Sequence, residues 1–354
     1  MMPLRSVRSR PIVITGGAGF IGSNLADRLL RTGKHVLVLD DVSRPSAGAN
    51  LEWLRGRHGS RLQVKVADVR DEAAVQEALA RAAAIFHLAA RNVAVAGREP
   101  DYADVNAGGT RVVLEAIRRA ASSAPLVYAS SSDVYGALDD LELTELETRC
   151  EPAVRMPGLA EDRAVSPSSP LAHSIAQADR TVVDYAREFG VRAVVFRIGT
   201  VYGPRQSGDE HEGWVARYLV RALEGQPLAI RGSGKELRDL LFIDDLVDAL
   251  LLAQRDVGSV AGRVFNIGGG AANAASRLEL VDLLALVHGS RPRVSFETAP
   301  SGEPRWFVSD LRAFRSATGW TPRVGVREGL QRLNHWLVAA RGLGLAPGMK
   351  AHAS

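Results

Sequence analysis

The sequence has very little cysteine and no long apolar run. Its single cysteine, Cys150, excludes a disulfide within the chain and fits a reducing compartment. No apolar stretch approaches the roughly 20 residues that a membrane-spanning helix needs. We therefore expect a cytoplasmic protein that neither crosses a membrane nor depends on disulfides.

A large excess of one charge is also absent. The 354 residues contain 44 Lys and Arg against 40 Asp and Glu, a net charge of +4, and the arginines are scattered along the chain. A nucleic-acid partner is therefore not indicated. Because the guanidinium fork grips phosphates bidentately, the surplus of arginine suits an anionic small substrate. A solvated arginine-rich surface is the plainer explanation for most of these residues.

What the sequence does contain is a glycine pattern between two strands. The apolar run 11–15 is typical of a buried strand, and Gly16-Gly17-Ala18-Gly19-Phe20-Ile21-Gly22 follows it. In such a turn Gly16 permits the tight bend, Gly19 lets backbone amides approach a pyrophosphate, and Gly22 lets the next helix pack closely on the sheet. The pattern predicts a dinucleotide cofactor.

The residues after the glycines indicate which dinucleotide this is. Phe20 and Ile21 open a helix whose N-terminus favours the diphosphate, and the second strand ends at Asp40. Asp40 is placed to hydrogen-bond the adenosine ribose hydroxyls, and together with Asp41 it would repel a 2′-phosphate. NAD is therefore predicted over NADP. Arg44 is the one nearby residue that would favour NADP.

Strand and helix patterns alternate from the start, which predicts an α/β doubly wound parallel sheet of the Rossmann type with a smaller C-terminal substrate-binding lobe. The predicted domains are an NAD-binding domain over 1–198, a mainly substrate-binding lobe over 199–340 and a disordered tail over 341–354. The segment 137–170 is rich in proline and acidic residues, has no clear period, and is predicted to be a mobile loop. The predicted strands are 11–15, 62–66, 84–88, 126–129 and 193–198, and the later predicted helices are 71–81, 101–121, 171–189, 214–223, 245–252, 277–287 and 327–338.

An ordered series of further motifs extends this pattern along the chain. They are Ala67-Asp68-Val69-Arg70, Phe86-His87-Leu88-Ala89-Ala90, Asp104-Val105-Asn106-Ala107-Gly108-Gly109-Thr110, Ala129-Ser130-Ser131-Ser132-Asp133-Val134-Tyr135-Gly136, Phe196-Arg197-Ile198-Gly199-Thr200-Val201-Tyr202-Gly203-Pro204-Arg205-Gln206 and Gly232-Ser233-Gly234-Lys235-Glu236-Leu237-Arg238-Asp239. In this order the series resembles the extended short-chain dehydrogenase/reductases of the NAD-dependent epimerase/dehydratase family, which act on nucleotide sugars. The chain also resembles the CDP-paratose 2-epimerase (CDP-tyvelose epimerase) group within that family. That likeness rests on Asp41-Val42-Ser43-Arg44 with Asn50-Leu51-Glu52-Trp53-Leu54, on the 145–170 insertion, on Arg205-Gln206 with Gly213-Trp214-Val215, and on Arg305-Trp306-Phe307-Val308-Ser309-Asp310.

The resemblance implies roles for individual residues. Asp68 and Val69 would flank the adenine, while Leu88, Ala89 and Ala90 would line the cofactor phosphates and ribose. Ser43 belongs to the implied cofactor loop with Asp41 and Arg44. Asn106 would brace the strand ends, or would simply cap backbone groups.

On the substrate side, Ser131 would hydrogen-bond the sugar hydroxyl that is oxidised, and Arg238 would pair with the substrate diphosphate. The alternatives are that Ser131 satisfies a strand end and that Arg238 pairs with Asp239. The resemblance also implies a nucleotide-diphosphate sugar as partner, and a homodimer formed through the helices near 101–121 and 171–189.

The chain departs from the family where the catalytic base belongs. The family pattern Ser-Pro-Tyr-Ala-x-Ser-Lys is here Ser169-Pro170-Leu171-Ala172-His173-Ser174-Ile175, and none of the six tyrosines is followed four residues later by lysine. A phenol needs a neighbouring cation to act as a base near neutral pH, and leucine and isoleucine can neither take a proton nor supply that charge. Loss of a positioned base typically costs about 10²–10⁴ in rate.

Two residues could replace the missing base. Histidine is a residue type with a suitable intrinsic pKa, but His173 lies about 200° around the helix from Leu171, and such a histidine is more often a surface residue. Asp133 stands where related dehydratases and decarboxylases have an acid, although it could simply cap the following turn. The predicted catalytic set is therefore Ser131, Asp133 and His173, and no metal ligands are predicted.

The substrate-binding residues are altered as well. Thr200 stands where many relatives have asparagine beside the substrate phosphates, and 300–303 replaces an Arg-Pro-Gly-Asp-like segment. Arg205 and Arg305 complete the predicted substrate set, and Arg305 is the residue that could compensate for the altered segment.

Three functions therefore remain open. The first is an NAD-dependent nucleotide-sugar epimerase that oxidises the sugar transiently with a non-standard acid/base. The second is a redox-silent NAD- and nucleotide-sugar-binding homologue that acts as a scaffold or partner subunit. The third is a dehydratase or decarboxylase that uses Asp133.

Overall fold

The structure, a computed structural model, describes residues 10–92, 101–206, 208, 213–298 and 302–342. The strands in this part of the chain are β1 Ile12–Thr15, β2 Val36–Asp40, β3 Leu62–Val66, β4 Ala84–His87, β5 Leu126–Ser131, β6 Leu143–Glu145, β7 Cys150–Pro152, β8 Ala193–Ile198, β9 Thr200–Tyr202, β10 Leu228–Arg231, β11 Leu237–Phe242, β12 Val264–Ile267, β13 Ala274–Ser276, β14 Val294–Glu297 and β15 Trp306–Phe307. The α-helices are α1 Phe20–Arg31, α2 Pro45–His58, α3 Glu72–Leu79, α4 Gly109–Arg119, α5 Pro170–Phe189, α6 Trp214–Leu223, α7 Ile243–Arg255, α8 Val257–Val260, α9 Arg277–His288, α10 Arg312–Thr318 and α11 Val326–Arg341.

Seven of the strands form a parallel central sheet in the order β12-β8-β5-β4-β1-β2-β3. Strand β1 lies between β2 and β4 and all four of its residues are buried, which is why its sequence is a continuous apolar run. The chain order reverses between β1 and β4, as in a doubly wound sheet. The predicted fold class is confirmed. No helix of the described residues is both long and apolar enough to cross a membrane.

The chain divides into two compact units. The first comprises the described residues up to Ala129 together with Gln177–Val195 and Ala253–Arg263. The second comprises Ser130–Ala176, Phe196–Leu252 and the described residues from Val264 onward. This division differs from the boundary predicted at residue 198, because the segment after β5 packs with the second unit. Most of the predicted tail, 343–354, lies outside the described residues.

The second unit contains three smaller sheets. Strand β11 is central in the largest of them, pairing with β13, β15 and β9. Strands β10 and β14 pair in parallel, and β6 and β7 form an antiparallel pair. An apolar cluster that includes Val134, Leu159, Leu237 and Phe307 forms a core in this unit.

The segment 137–170 is not the unstructured loop that its composition suggested. It contains the β6–β7 pair, buries Leu138 and Leu159 in the apolar cluster, and returns through a 2.9 Å hydrogen bond from Ser166 N to Val134 O. The segment therefore contains regular elements that its sequence pattern did not indicate, because its order comes from packing against distant residues. Its mobility stays a prediction.

Candidate functional site

The glycine turn in the first unit is close-packed in a way that requires glycine. Gly16 has φ +68°, and a Cβ there would lie 2.7 Å from the backbone of Leu88 and Ala89 at the end of β4. A Cβ on Gly22 would lie 2.3 Å from the Gly16 carbonyl oxygen. The turn therefore bends tightly and α1 starts directly against it. Gly19 is the residue before α1 and donates its N–H to Gly16 O at 3.1 Å.

Asp40, at the end of β2, is bound to this turn. Its Oδ2 accepts from Ala18 N and its Oδ1 accepts from Val42 N, both at 2.9 Å. Burial raises the pKa of the Asp40 carboxyl, and the two backbone hydrogen bonds act in the opposite direction. Two N–H donors on separate oxygens fix the plane of the carboxyl group while each oxygen keeps a further acceptor position. This geometry suits a residue that receives hydroxyl hydrogen bonds.

The next residues form a compact loop before α2. Asp41 Oδ1 accepts from the N–H and the hydroxyl of Ser43, at 3.0 and 2.8 Å. Arg44 is the residue before α2, and its Nη2 would lie 3.2 Å from a Cβ built on Gly19. All three predicted loop residues are thus close to Asp40 and the glycine turn.

Asp68 and Val69, the residues expected to flank the adenine, follow β3. Both carboxylate oxygens of Asp68 accept from the Arg70 guanidinium, at 3.0 and 2.7 Å, and this interaction lowers the pKa of Asp68. Val69 is buried and one of its methyl groups would lie 2.5 Å from a Cβ on Gly109. Val69 therefore packs against the start of α4.

A closed set of hydrogen bonds holds the loop after β4. Asn106 lies in the π-helical turn Ala103–Gly108, and its side chain accepts from Arg91 N at 2.7 Å and donates to Arg91 O at 3.1 Å. Single π turns are frequent at functional sites. The loop formed by Leu88, Ala89 and Ala90 lies between this clamp and the strand end, and Leu88 N donates to Thr15 O at 3.0 Å.

His87 connects the two ends of that loop. The Thr110 hydroxyl donates to Asn106 O at 2.5 Å, so it must accept from His87 Nε2–H at 2.9 Å. His87 Nδ1 then accepts from the Thr15 hydroxyl at 2.6 Å, and Thr15 Oγ1 accepts from Ala89 N at 3.3 Å. Complete burial lowers the pKa of His87 to about 4. The imidazole is therefore neutral, with its proton on Nε2.

In the second unit, Ser131 and Asp133 lie together at the end of β5. The Ser131 hydroxyl oxygen accepts from Asp133 N at 3.1 Å and begins the short 3₁₀ turn Ser132–Tyr135. Ser131 is half-buried, whereas Asp133 is exposed. The charge of Asp133 also acts on the guanidinium of Arg238, which belongs to the same unit. Ser131 and Asp133 thus lie together, and Asp133 is within electrostatic range of Arg238.

His173, the other candidate base, makes local contacts. Its ring Nδ1 and its backbone N both lie 2.9 Å from Ser169 O, within the first turn of α5. The side chain is exposed. These contacts agree with the alternative of a surface histidine at the start of a helix.

Leu171 and Ile175 lie one turn apart on α5 and are part of an apolar face. Ile175 is 8% exposed within the apolar cluster of the second unit, and Leu171 packs against the same cluster. The residues at this helix spacing therefore contribute packing and no acid/base group.

The tyrosines on either side of Ser131 are both buried. Tyr128 is buried in the first unit, and burial raises its pKa further above neutrality. Tyr135 is buried in the second unit, donates to Asn266 Oδ1 at 2.8 Å and accepts from Arg197 at 3.1 Å. Burial raises the pKa of Tyr135 as well, although Arg197 opposes this shift. Neither hydroxyl is suited to lose a proton near pH 7.

Arg238 belongs to a partly buried ionic cluster. Its Nη2 donates to Glu303 Oε1 at 3.1 Å and to Pro304 O at 2.6 Å, and Glu303 also pairs with Arg277. Arg277 in turn pairs with Glu236 at 3.1 Å. The predicted alternative, a pair between Arg238 and Asp239, is not what forms. Asp239 is buried and accepts instead from the backbone of Gly270 and Ser309.

The remaining predicted substrate residues lie on separate elements of the second unit. Thr200 begins β9, and Arg205 stacks on Trp336 with its guanidinium carbon 5.4 Å from the ring centroid. Arg305 donates to Glu145 Oε2 at 2.6 Å and contacts Cys150 Sγ at 3.3 Å. Of the segment 300–303, residues 300 and 301 lie outside the described residues. Within the described chain no group of three His, Cys, Asp or Glu side chains could hold a metal ion.

Comparison with known proteins identifies the family. The model of the NAD dependent epimerase/dehydratase family matches residues 12–268. The chain belongs to this family. The predictions of the family and of NAD as its cofactor are therefore confirmed.

Several members of the family are similar over nearly the whole chain. CDP-paratose 2-epimerase of Salmonella typhi is 33% identical over 334 residues, covering 92% of this chain and 98% of that protein. The structure of UDP-glucuronic acid 4-epimerase from Bacillus cereus, in complex with UDP-glucuronic acid and NAD, has a TM-score of 0.80 at 26% identity and covers 93% of this chain and 99% of that one. UDP-glucose 4-epimerase from Thermotoga maritima, with UDP-glucose, has a TM-score of 0.79 at 28% identity, covering 94% and 99%.

Sequence reasoning missed several residues that shape this family site. Asn50 in α2 donates to Ala18 O at 3.1 Å and so holds the glycine turn from a second side. His87 and its threonine partners lie in the quoted motifs, but only their contacts reveal their role. Glu303, which pairs with Arg238 and Arg277, was not predicted as a site residue, whereas Arg305 near it was. A buried polar residue at a strand end, such as His87, is the one signal that could have been found in the sequence.

Proposed function

We propose that the protein is a nucleotide-sugar epimerase of the CDP-paratose 2-epimerase type, with Asp133 in place of the family's tyrosine base. The observation that supports this most directly is the grouping of Ser131, Asp133 and Arg238 within the second unit. It places a hydroxyl and an exposed carboxylate two residues apart at the end of β5, with the carboxylate within electrostatic range of a cation. Similarity to CDP-paratose 2-epimerase over 92% of the chain supports the same reaction class.

The first unit fits NAD on its own geometry. The turn at Gly16–Gly22 can bend tightly, with α1 starting directly against it, only because no Cβ is present, and Asp40 keeps acceptor positions for ribose hydroxyls. Asn106 and His87 hold the loop of Leu88, Ala89 and Ala90 in place. When bound, NAD supplies a centre at its nicotinamide that can accept a hydride and return it.

The residues of the second unit would bind and deprotonate the sugar. The Ser131 hydroxyl would donate to the sugar oxygen, and the Asp133 carboxylate would accept the hydroxyl proton and later give it back, so that no net proton is consumed. The Nη2 of Arg238 is held by Glu303 and Pro304 O. The other N–H groups of the guanidinium would pair with the substrate diphosphate. A carboxylate can take this role without a neighbouring lysine, because it is already ionised near neutral pH.

A redox-silent binding protein is the second candidate, and one observation favours it. Leu171 and Ile175, at the spacing of the family's tyrosine and lysine, are apolar and pack into the cluster of the second unit. The chain contains no Tyr-x-x-x-Lys at any position. A protein of this kind would keep NAD and sugar-nucleotide binding while lacking turnover.

A proton-NMR time course with NAD and CDP-paratose, run beside UDP- and dTDP-hexoses, separates the candidates. Epimerisation that is lost in both Ser131→Ala and Asp133→Asn supports the proposal, and turnover retained in either variant contradicts it. Asp139→Asn, which removes an exposed carboxylate of the same unit, is the matched control and should keep wild-type activity. Bound NAD with no turnover of any substrate would favour the redox-silent candidate. Loss of water or carbon dioxide from the sugar would indicate a dehydratase or decarboxylase.

We also propose that the protein acts as a homodimer in the reducing cytoplasm, which its one buried cysteine suits. As the resemblance to the family implies, the dimer would form through α4 and α5, which contact each other within the first unit. Tyr185 in α5 donates to Glu115 in α4 at 2.6 Å, and Arg118 lies over the exposed ring of Phe189 at 5.5 Å. Light scattering of the purified protein tests this: a monomer mass at micromolar concentration would contradict it.

A further inference from the structure

An arginine side chain covers the glycine turn of the first unit. The Nη2 of Arg44 would lie 3.2 Å from a Cβ built on Gly19, the residue directly before α1. The free N–H groups at a helix start, together with the helix dipole, favour an anion. The guanidinium therefore adds a positive charge and several donors on the side of the turn where the backbone already offers N–H groups.

The loop that brings Arg44 there adopts an unfavourable conformation. Val42 has φ +51°, in the left-handed region that a β-branched residue rarely enters. Asp40 Oδ1 accepts from Val42 N at 2.9 Å, and Asp41 caps the next residue, Ser43. Such a conformation persists only where its surroundings determine it, and it often marks a binding site. Here it lies two residues before Arg44, in the loop that carries the guanidinium to Gly19.

The position of Arg44 relative to the turn is also fixed by two side chains. Asn50 donates to Ala18 O at 3.1 Å, and Asp40 accepts from Ala18 N at 2.9 Å. The peptide groups on both sides of Ala18 are therefore held, one by α2 and one by β2. Because Arg44 directly precedes α2, its backbone is attached to the same clamp.

We infer that Arg44 binds the diphosphate of the dinucleotide, and that it does not recognise a 2′-phosphate on the adenosine ribose. The guanidinium nitrogen that faces Gly19 is on the diphosphate side of the turn, whereas the ribose is expected at Asp40. The other terminal nitrogen, Nη1, lies 3.5 Å from Asn92 Oδ1, a distance that makes a weak hydrogen bond. A planar guanidinium can contact two phosphate oxygens at once, which gives it a specific role here.

This inference extends the cofactor site and rests on it, but not on the proposed reaction. Calorimetric titration of NAD, ADP and adenosine in the absence of any sugar nucleotide therefore tests it separately from turnover. In Arg44→Gln the affinity for NAD and ADP should fall about tenfold to a hundredfold, while adenosine binding stays within about twofold. Arg55→Gln, which removes an exposed arginine of the same helix, is the matched control and should bind all three ligands like the wild type.

Titration with NADP decides between the two phosphates. If Arg44 contacts the diphosphate, wild-type protein should prefer NAD, and Arg44→Gln should weaken both dinucleotides by the same factor. A selective loss of NADP binding in the variant would overturn the inference, as would unchanged NAD affinity. Failure of the wild type to bind NAD or ADP would overturn both the cofactor site and the role of Arg44. The thermal melting temperature of the apo variant checks that it is folded.

Discussion

His87 makes the stability of the first unit depend on pH in a defined direction. Its ring accepts from Thr15 and donates to Thr110, so a second proton on Nδ1 would face the hydroxyl that now donates to it. Burial lowers the pKa of His87 from 6.5 to about 4. At pH values between about 4 and 6.5, His87 is protonated in the unfolded chain and neutral in the folded chain. The stabilisation is therefore complete above pH 6.5 and is lost as the pH falls toward 4.

The magnitude follows from the size of the shift. A shift of about 2.5 pKa units corresponds to about 3 kcal/mol, at 1.36 kcal/mol per unit, when the pH has passed below both values. At pH 5 the folded protein keeps His87 largely neutral while the unfolded chain is protonated. The expected loss of unfolding free energy between pH 7.5 and pH 5 is then about 2 kcal/mol from this residue.

Urea unfolding of the wild type and of His87→Asn at both pH values isolates this contribution. Asparagine can still accept from Thr15 but does not titrate, so the variant should be less stable at pH 7.5 and should lose about 2 kcal/mol less on acidification. Buried carboxyl groups with raised pKa values, such as Asp40 and Asp239, act in the opposite direction but are common to both proteins and cancel. His173→Asn, at an exposed histidine, should keep the wild-type dependence. Equal pH dependence of the wild type and His87→Asn would refute the assignment of a neutral, buried His87.

Three further predictions test other contacts. Gly22→Ala places a Cβ 2.3 Å from a carbonyl oxygen and should lower the free energy of unfolding by on the order of 3 kcal/mol. The control Gly48→Ala, in an open position of α2, should raise it by about 0.5–1 kcal/mol. Both are measured by urea unfolding, and an unchanged stability of Gly22→Ala would contradict the close packing. Asn106→Ala removes both bonds to the loop after β4 and should cost about 2 kcal/mol and weaken NAD binding; unchanged NAD affinity by calorimetry would separate the clamp from the cofactor site. Glu303→Gln removes the negative charge that pairs with both Arg238 and Arg277, and should lower the free energy of unfolding by about 2 kcal/mol. An unchanged free energy in urea unfolding would show that the cluster is well solvated.

The sequence predicted the central sheet well because its signals are local. The strands 62–66 and 193–198 agree with β3 and β8 residue for residue, since each is a short run of strand-forming residues between turn signals. Helix α2 was missed because two glycines and a starting proline weaken its pattern, although Ala47, Leu51 and Leu54 form its buried face. The segment 137–170 was misread because its order depends on an apolar cluster assembled from distant parts of the chain.

The candidate site likewise has parts that local sequence signals predict and parts that depend on distant residues. The glycine turn and Asp40 were predictable because their spacing within 30 residues sets their geometry. The role of His87 was not, because its two threonine partners are 72 and 23 residues away in the chain. The partner of Arg238 within the chain was not predictable for the same reason: Glu303 lies 65 residues further on, whereas the neighbour Asp239 accepts from the backbone of Gly270 and Ser309.

If, as we propose, Leu171 and Ile175 stand at the positions of the family's tyrosine and lysine, the two apolar residues are best understood as one physical change. A tyrosine base needs a cation to lower its pKa, so that lysine loses its acid/base role once the phenol is absent. A lysine at position 175, which is 8% exposed among apolar neighbours, would then bury a charge without compensation, and isoleucine removes that cost. Leucine at 171 extends the same apolar surface. This apolar pair is therefore consistent with a stable α5 in either functional candidate, and under the proposed function it leaves the exposed carboxylate of Asp133 as the candidate base.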